Sequence, residues 1–261
     1  MENECTYTLI TGGTEGIGLE FAKLFAEDKH NLILASRNEL KLKKVKQKIE
    51  SEYKVKVEIV NIDFSVDKSC GKLFDFVDKY NIVVDNLVNN AGIGSFGFFN
   101  QEEENFEDKI INVNIIALTK FTKFFLNRMI ERGKGGILNV SSTAGFVGGP
   151  KMALYYSTKS YVLTLTEAIY EEVKDKNIVV SCLCPGPVKT SFQKKAGIEK
   201  SLKAKRYLME PQLVAKIGYE GFKKKKVIII PGLKNKILVL GNKLIPRAIS
   251  RRIVLSTNSK N

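Results

Sequence analysis

Short apolar runs alternate with longer amphipathic stretches along most of the 261-residue chain. Apolar positions three and four residues apart predict helices, and short continuous apolar runs predict buried strands. The predicted helices cover about 16–28, 39–53, 68–80, 103–131 and 152–174. The predicted strands cover 7–10, 31–35, 55–62, 86–88, 136–140, 178–183 and 227–230. This alternation predicts an α/β fold, with about seven parallel strands and helices on both faces of the sheet.

Composition excludes several classes of protein. With 44% hydrophobic residues and no low-complexity tract, the chain is not predicted to be disordered. No apolar run approaches the roughly 18 residues of a membrane-spanning helix. The first seven residues lack the basic and apolar regions of a secretory signal. We therefore expect a cytoplasmic location and one domain over residues 1–261.

Four cysteines in a chain of this length do not form a disulfide scaffold. Cys182 and Cys184 could be half of a metal site, but His30 is the single histidine and no second Cys/His cluster completes the set. We expect reduced, buried thiols and no metal.

The net charge of +14 is concentrated in the last quarter of the chain. Residues 1–200 carry 27 Lys/Arg and 26 Asp/Glu, whereas residues 201–261 carry 15 and 2. Within a basic extension over 232–261, residues 235–255 form an amphipathic stretch, which Pro246 would kink or divide. Such a stretch could lie on an anionic membrane or pack on the domain with its charges in water. No nucleic-acid-reading module accompanies the charge, so we do not expect nucleic acid as a partner.

A glycine-rich turn follows the first strand and opens the first helix. Its segment from Gly12 to Gly18 would bring the backbone close to a pyrophosphate at the helix N-terminus. The predicted contact residues are Gly12, Thr14, Glu15, Gly16, Ile17 and Gly18. The second strand ends in Ser36-Arg37 with no acid, which favours NADP(H) over NAD because arginine can bind the 2′-phosphate. Arg37 could also be an ordinary surface arginine.

A tyrosine four residues before a lysine occurs three times, in Tyr155/Lys159, Tyr170/Lys174 and Tyr219/Lys223. Helical spacing puts each pair on one face, so the pattern alone selects none of them. A serine precedes Tyr155 and Tyr170 by the same 13 residues. Ser142 follows a predicted strand, near the edge where open parallel sheets bind ligands, whereas Ser157 lies within a predicted helix. We therefore select Ser142, Tyr155 and Lys159.

Six motifs in this order resemble the short-chain dehydrogenase/reductase family, over about residues 6–190. They are Thr11-Gly12-x-x-x-Gly16-Ile17-Gly18, Asn89-Asn90-Ala91-Gly92, Asn114, Ser142, Tyr155-x-x-x-Lys159 and Pro185-Gly186. The resemblance implies a single doubly wound Rossmann-type domain that binds NADP(H). It also implies an activity like that of hydroxysteroid dehydrogenases and carbonyl reductases.

Reduction of a carbonyl needs a proton for its oxygen, which Tyr155 would supply as general acid. Lys159 would lower the pKa of Tyr155, together with the positive charge of an oxidised nicotinamide, and hold the nicotinamide ribose. Ser142 would hydrogen-bond the substrate oxygen. The resemblance assigns a proton relay to Asn114, although Asn112 lies only two residues away.

The resemblance also places further residues around the dinucleotide. Asp63 would contact the adenine, and Asn90, Ala91 and Gly92 would lie beside the adenosine ribose. Val188 and Thr190 would lie near the carboxamide. The remaining predicted cofactor residues are Pro185 and Gly186, together with Tyr155 and Lys159.

Aromatic residues after the fourth and fifth predicted strands point to a hydrophobic ketone or aldehyde as substrate. Phe96 and Phe146 are candidate substrate contacts with Ser142 and Tyr155, although core packing could account for some of these rings. We expect a substrate lid over 191–209 and a homodimer through the long helices. The alternatives are a non-catalytic NADP-binding sensor or scaffold and a membrane-surface lipid-interaction protein.

Overall fold

Seven strands form one parallel sheet in the order β3-β2-β1-β4-β5-β6-β7 in the computed structural model, which describes residues 6–198 and 208–259. The predicted fold class is therefore confirmed. The β-branched and leucine-rich runs form these strands because both faces of the sheet are covered. The strands are β1 Thr6–Thr11, β2 Asn31–Ser36, β3 Val57–Asn61, β4 Val83–Asn89, β5 Gly135–Val140, β6 Ile178–Leu183 and β7 Ile228–Ile229.

Helices connect the strands and cover both faces of the sheet. They are α1 Gly16–Glu27, α2 Glu39–Tyr53, α3 Gly71–Lys79, α4 Phe106–Ile111, α5 Leu118–Arg132, α6 Ala153–Val173, α7 Ser191–Lys195, α8 Pro211–Lys223, α9 Leu233–Leu244 and α10 Arg247–Ser259. Short 3₁₀ turns occupy Phe99–Gln101 and Thr143–Phe146. No helix among these described residues is long and apolar enough to cross a bilayer.

Two buried clusters lie on opposite faces of the sheet. Phe21 and Phe25 of α1 pack with Phe222 of α8 on one face. Phe121 and Phe125 of α5 pack with residues of α3 and α6 on the other face. The chain is thus doubly wound, and its core stabilises the sheet from both sides.

The predicted elements differ from the structure at two helices. The single helix over 103–131 begins at Phe106 and contains a π-helical turn at Asn112–Ala117. Helix α8 was missed because Gly218 and Gly221 interrupt its apolar pattern. Added Cβ atoms at these glycines would lie 2.9 Å from the Phe21 ring and 2.7 Å from the Ile229 side chain. Both glycines therefore allow close helix packing.

The strand order reverses between β1 and β4, which lie side by side at the centre of the sheet. Helices that follow these two strands leave on opposite faces, so a crevice opens beyond their carboxyl ends. The glycine-rich turn after β1 and the Asn89–Gly92 motif at the end of β4 both lie at this crevice.

Candidate active site

The glycine-rich turn needs glycine at defined positions. Gly12 and Gly16 have positive φ angles of 67° and 57°, which residues with a Cβ rarely adopt. A Cβ on Gly18 would collide with the Gly12 carbonyl and the Asn90 side chain. The turn therefore brings its backbone close to the space where α1 begins, and the first amides of α1 can bind an anion there.

Asn90 holds this turn in place. Its Nδ2 donates hydrogen bonds to the Thr11 and Gly12 carbonyl oxygens, at 3.0 and 3.1 Å. The Thr11 hydroxyl accepts from the backbone amides of Asn90 and Ala91, both at 3.0 Å. The ends of β1 and β4 are thus fixed to each other, which fits the predicted place of Asn90 and Ala91 beside the nucleotide.

The predicted adenosine end lies at the carboxyl ends of β2 and β3. Ser36 lies 3.5 Å from the Thr14 hydroxyl, measured between the two oxygens, and Arg37 is exposed. Asp63 accepts hydrogen bonds from the Ser65 amide and hydroxyl, at 3.0 and 2.7 Å. Burial alone would raise the pKa of Asp63. The two hydrogen bonds from Ser65 and the nearby Arg37 charge together have a larger, opposite effect, so the pKa lies below its usual value.

Three side chains of the chain bind the carboxylate of Glu15, which is one of the predicted nucleotide contacts. Its carboxylate pairs with Lys41 at 2.7 Å and with Lys195, and it accepts a 2.6 Å hydrogen bond from Ser191. Burial raises the pKa of Glu15, but hydrogen bonds from these three side chains lower it to about 2. Glu15 therefore ties the glycine-rich turn to α2 and to α7.

Ser142, Tyr155 and Lys159 come together beyond the carboxyl end of β5. The Ser142 hydroxyl is buried, hydrogen-bonds the Tyr155 phenol and donates to the Pro185 carbonyl at 3.2 Å. The Lys159 ammonium lies 5.8 Å from the Tyr155 ring centroid and donates to the Val140 carbonyl at 2.9 Å. Helix α6 presents Tyr155 and Lys159 one turn apart on the face turned toward β5.

Burial shifts both titrating groups of this site toward their neutral forms. It raises the pKa of Tyr155 to about 12, despite the opposing effect of the hydrogen bond between Tyr155 and Ser142. It also lowers the pKa of Lys159 from 10.5 to about 8. In the chain by itself, desolvation exceeds every interaction that lowers the pKa of Tyr155, so the expected lowering by Lys159 and an oxidised nicotinamide together stays a prediction.

Asn114 lies beside this set and Asn112 does not. Asn114 exchanges two 2.9 Å hydrogen bonds with the backbone of Ile93 and donates to the Thr158 hydroxyl at 3.0 Å. The π-helical turn directs Asn114 inward, where it is 1% exposed. Asn112 instead donates to the Ser65 carbonyl at 3.1 Å.

Gly92 lies between Asn114 and Lys159. A Cβ added there would be 3.4 Å from the Lys159 ammonium and 3.5 Å from the Asn114 carbonyl oxygen. The three predicted residues therefore border the same small volume.

The other two tyrosine–lysine pairs have structural partners elsewhere. Lys174 forms an ion pair with Glu171 at 2.7 Å, and Tyr170 packs against the core. Tyr219 and Lys223 both bind the Asp28 carboxylate, at 2.7 and 2.6 Å. These last residues line a cavity of about 350 Å³ near the start of β2, away from Tyr155.

The loop after β6 passes next to the glycine-rich turn. Thr190 caps α7, and an added Cβ on Gly16 would lie 3.0 Å from its methyl group. Val188 is buried and forms a parallel bridge with Met209. The Pro185 carbonyl accepts a hydrogen bond from the Ser142 hydroxyl. Asn235 of α9 lies against Gly186, and a Cβ added to this glycine would collide with the Asn235 side-chain amide. No motif or spacing in the sequence indicated that Asn235 would lie at this loop.

The aromatic residue that packs on Tyr155 is not one of those predicted to contact a substrate. Phe192 of α7 packs on Tyr155 with ring centroids 5.2 Å apart, and Gly94 leaves room for both rings. Phe96 lies 5.9 Å from the Lys151 ammonium, and Phe146 packs against the small core cluster that contains Cys182. Of the predicted lid, 199–207 lies outside the described residues. Phe192 could have been found only as an apolar residue within the predicted lid.

The donor set fits a nicotinamide dinucleotide. The glycine-rich turn offers free amides for a pyrophosphate, and Ser36 with Arg37 offers a hydroxyl and a guanidinium at the adenosine end. Lys159, Tyr155 and Ser142 lie at the other end of the same crevice. The fold and this arrangement of side chains together define a nucleotide-binding domain of the Rossmann type.

Comparisons with known proteins agree with this class. The family model described as short chain dehydrogenase matches residues 6–201, so the chain belongs to the short-chain dehydrogenase family. It is similar to the very-long-chain 3-oxoacyl-CoA reductase of Rattus norvegicus, with 33% identity over 192 residues. That match covers 72% of this chain and 61% of the relative, so the chain spans about three fifths of the relative's length.

Solved structures show the same fold. A short-chain dehydrogenase from Sphingobium yanoikuyae in complex with NADPH is 28% identical, with a TM-score of 0.81 and coverage of 87% of this chain and 88% of that one. The bulky-bulky ketone specific alcohol dehydrogenase from Comamonas testosteroni is 25% identical, with a TM-score of 0.77 and coverage of 94% and 97%.

Proposed function

We propose that the chain is an NADP(H)-dependent oxidoreductase that interconverts a hydrophobic ketone or aldehyde with its alcohol. The observation that supports this activity best is the convergence of three groups beyond β5. The Tyr155 phenol is hydrogen-bonded by Ser142 and lies one helical turn from the Lys159 ammonium. A nucleotide sensor or scaffold has no need of all three.

When bound, the nicotinamide would donate hydride to the carbonyl carbon or accept it from the alcohol. Ser142 orients the substrate oxygen and stabilises the negative charge that develops on it. Tyr155 donates its phenolic proton to that oxygen, or accepts a proton in the opposite direction.

The burial of Tyr155 and Lys159 keeps the phenol protonated at neutral pH, as reduction requires. Lys159 would hold the nicotinamide ribose when the nucleotide is bound. Asn114 holds Ile93 and Thr158, so it keeps the turn of α6 that carries the pair in position.

The preference for NADP(H) is supported at the end of β2. Arg37 is exposed, and its positive charge lowers the pKa of Asp63. The end of β2 carries no acidic residue that could bind a ribose 2′-hydroxyl.

The substrate class is supported by the rings near Tyr155 and by the relatives. Phe192 covers Tyr155, and Phe98 of the neighbouring loop is exposed. The similar proteins include a very-long-chain 3-oxoacyl-CoA reductase and a bulky-bulky ketone specific alcohol dehydrogenase. We therefore propose a ketone on a long or bulky apolar group, of which a 3-oxoacyl thioester is one example.

The test is oxidation of NADPH at 340 nm with a panel of hydrophobic ketones and 3-oxoacyl thioesters. Tyr155→Phe should lower turnover by roughly 10²- to 10⁴-fold, the usual contribution of a general acid, with NADPH binding retained. Tyr170→Phe, on the same helix, is the matched control and should keep full turnover. Binding of NADPH without turnover of any panel member by the wild type would contradict the proposal and favour the sensor.

A further inference from the structure

The outward face of α9 is more apolar than the face that packs on the domain. Asn235, Val239 and Asn242 form the packing face, and Asn235 donates to the Pro231 carbonyl at 2.7 Å. At about 100° per residue, the opposite side carries an apolar stripe. The stripe consists of Leu233, Ile237, Leu240 and Leu244, which are 60% to 78% exposed.

Helix α10 continues this surface after Pro246 divides the predicted amphipathic stretch. Ser250 and Asn258 are buried against the domain, and Asn258 donates to the Pro150 carbonyl at 2.8 Å. Ile249 and Ile253 are about half exposed. Both helices thus leave large apolar residues exposed, whereas an ordinary surface helix buries its apolar face.

Positive charge surrounds the exposed apolar residues. Lys236 and Lys243 flank the stripe on α9, and Arg247, Arg251 and Arg252 are exposed on α10. After Glu220 the sequence contains eleven Lys and Arg and no Asp or Glu. We call the outward faces of α9 and α10, with these basic residues, the basic apolar surface.

The positive charge of the basic apolar surface indicates which kind of partner it binds. In a symmetric dimer each copy would place the same patch on its partner, and like charges would face one another. An anionic membrane offers apolar depth for the leucines and isoleucines and negative headgroups for the flanking cations. Its occupant is therefore expected to be anionic lipid, not a second copy of the chain.

The basic apolar surface lies next to the candidate active site. The packing face of α9 contacts Gly186 through Asn235 and also the Thr143–Phe146 turn that follows Ser142. One helix diameter of about 10 Å therefore separates the stripe from the loop predicted to hold the nicotinamide.

We propose that the basic apolar surface docks the chain on anionic membranes, with the substrate side of the site turned toward the lipid. If the proposed function holds, an apolar ketone would reach Tyr155 from the bilayer. The docking itself needs neither nucleotide nor turnover, so its failure can be distinguished from failure of the proposed function.

The chain has no tryptophan, so one introduced residue reports on one position. Leu244→Trp places an indole on the stripe, and Leu40→Trp places one at an equally exposed leucine of α2, 73% exposed. With vesicles of phosphatidylcholine and phosphatidylserine, Leu244→Trp should shift to the blue and be quenched by brominated lipid. Leu40→Trp should do neither. No response from Leu244→Trp, or equal responses from both, would overturn the proposal.

Co-sedimentation of the full chain with the same vesicles gives the second measurement. Lys236→Gln/Lys243→Gln should weaken binding about 30-fold, because each basic residue near the surface contributes about fivefold. Ile237→Asp/Leu240→Asp should reduce binding by about tenfold or more, whereas the charge-matched control Leu40→Asp/Leu213→Asp should not. All variants should retain the wild-type Tm.

Two further outcomes, one in each of these measurements, would overturn the proposal. One is binding of neutral phosphatidylcholine vesicles as strong as that of anionic ones. The other is a Leu244→Trp emission that shifts with protein concentration when no vesicles are present, since this would show that a second copy covers the surface.

Discussion

The Ser191 hydroxyl donates a 2.6 Å hydrogen bond to the carboxylate of Glu15, which precedes it by 176 residues. Lys195 binds the same carboxylate from the next turn of α7. The segment that begins the predicted lid is thus fastened to the turn predicted to hold the pyrophosphate. Any opening of α7 must break these contacts, so Glu15 couples the two parts of the site.

Replacing Glu15 with Gln should loosen α7 without unfolding the domain. The carboxylate is partly exposed, so we assign the contacts only about 1 kcal/mol in total. Amide hydrogen exchange in 191–196 should therefore rise about fivefold, while exchange in α6 stays unchanged. Glu39→Gln, which removes an exposed pair with Lys43, is the control and should leave α7 as in the wild type.

The low pKa of Glu15 makes its contacts with Ser191 and Lys195 insensitive to mild acid. Because the pKa is lowered from 4.5 to about 2 in the folded chain, the contact is complete above pH 4.5 and is lost only as pH falls toward 2. Wild-type protection of α7, corrected for intrinsic exchange, should therefore be constant from pH 7 to pH 5. A decline over that interval would contradict the assignment.

Gly18→Ala should disrupt the glycine-rich turn. The new Cβ would meet the Gly12 carbonyl, which is backbone and cannot swing away, and overpacking of this kind costs roughly 1–3 kcal/mol. We expect a lower urea midpoint and loss of measurable NADPH binding by fluorescence titration. Gly71→Ala has open space around it and should keep both properties. Equal effects of the two substitutions would show that the turn is not tightly packed.

Arg37→Asp should reverse the nucleotide preference. A lost charged contact to the 2′-phosphate is worth about 2 kcal/mol, so the Kd for NADPH should rise roughly 30-fold while that for NADH falls or stays constant. Lys48→Asp makes the same change in net charge farther along α2 and serves as control. Parallel changes for NADPH and NADH would reject a specific contact with the 2′-phosphate.

Sequence reasoning predicted the sheet, and it selected side chains that converge beyond β5, because both follow local rules. The strands alternate with helices, and Ser142 and Tyr155 follow recognisable element boundaries. Contacts that depend on tertiary approach were not predictable. Asn235 reaches Gly186 from α9, Phe192 covers Tyr155, and Glu15 bonds α7; none of these contacts has a periodic or spacing signal.

The same distinction explains the two asparagines. Spacing could not separate Asn112 from Asn114, since both lie on one predicted helix. The π-helical turn at Asn112–Ala117 changes the direction of successive side chains and buries Asn114 beside Ile93. A regular α-helical pattern contains no signal for that turn.

Lys159 should make the stability of the fold rise with pH in the mildly alkaline range. Burial lowers its pKa from 10.5 to about 8, so between these values the unfolded chain binds more protons than the folded chain. The free energy of unfolding should therefore increase by about 2 kcal/mol from pH 8 to pH 10 through this group. Below pH 8 the lysine is charged in both states, and its contribution no longer changes.

Urea unfolding of wild type and Lys159→Met at pH 8 and pH 10 measures this contribution, because the difference between the two proteins cancels the other titrating groups. Lys159→Met also leaves the Val140 carbonyl without its lysine donor, but any pH dependence of that hydrogen bond is already contained in the folded-state pKa of Lys159. Lys174→Met removes an exposed lysine of the same helix and should follow the wild-type pH dependence. If the free energies of unfolding of the wild type and Lys159→Met change equally between the two pH values, the Lys159 ammonium is not desolvated, and the lowered pKa assigned to it is wrong.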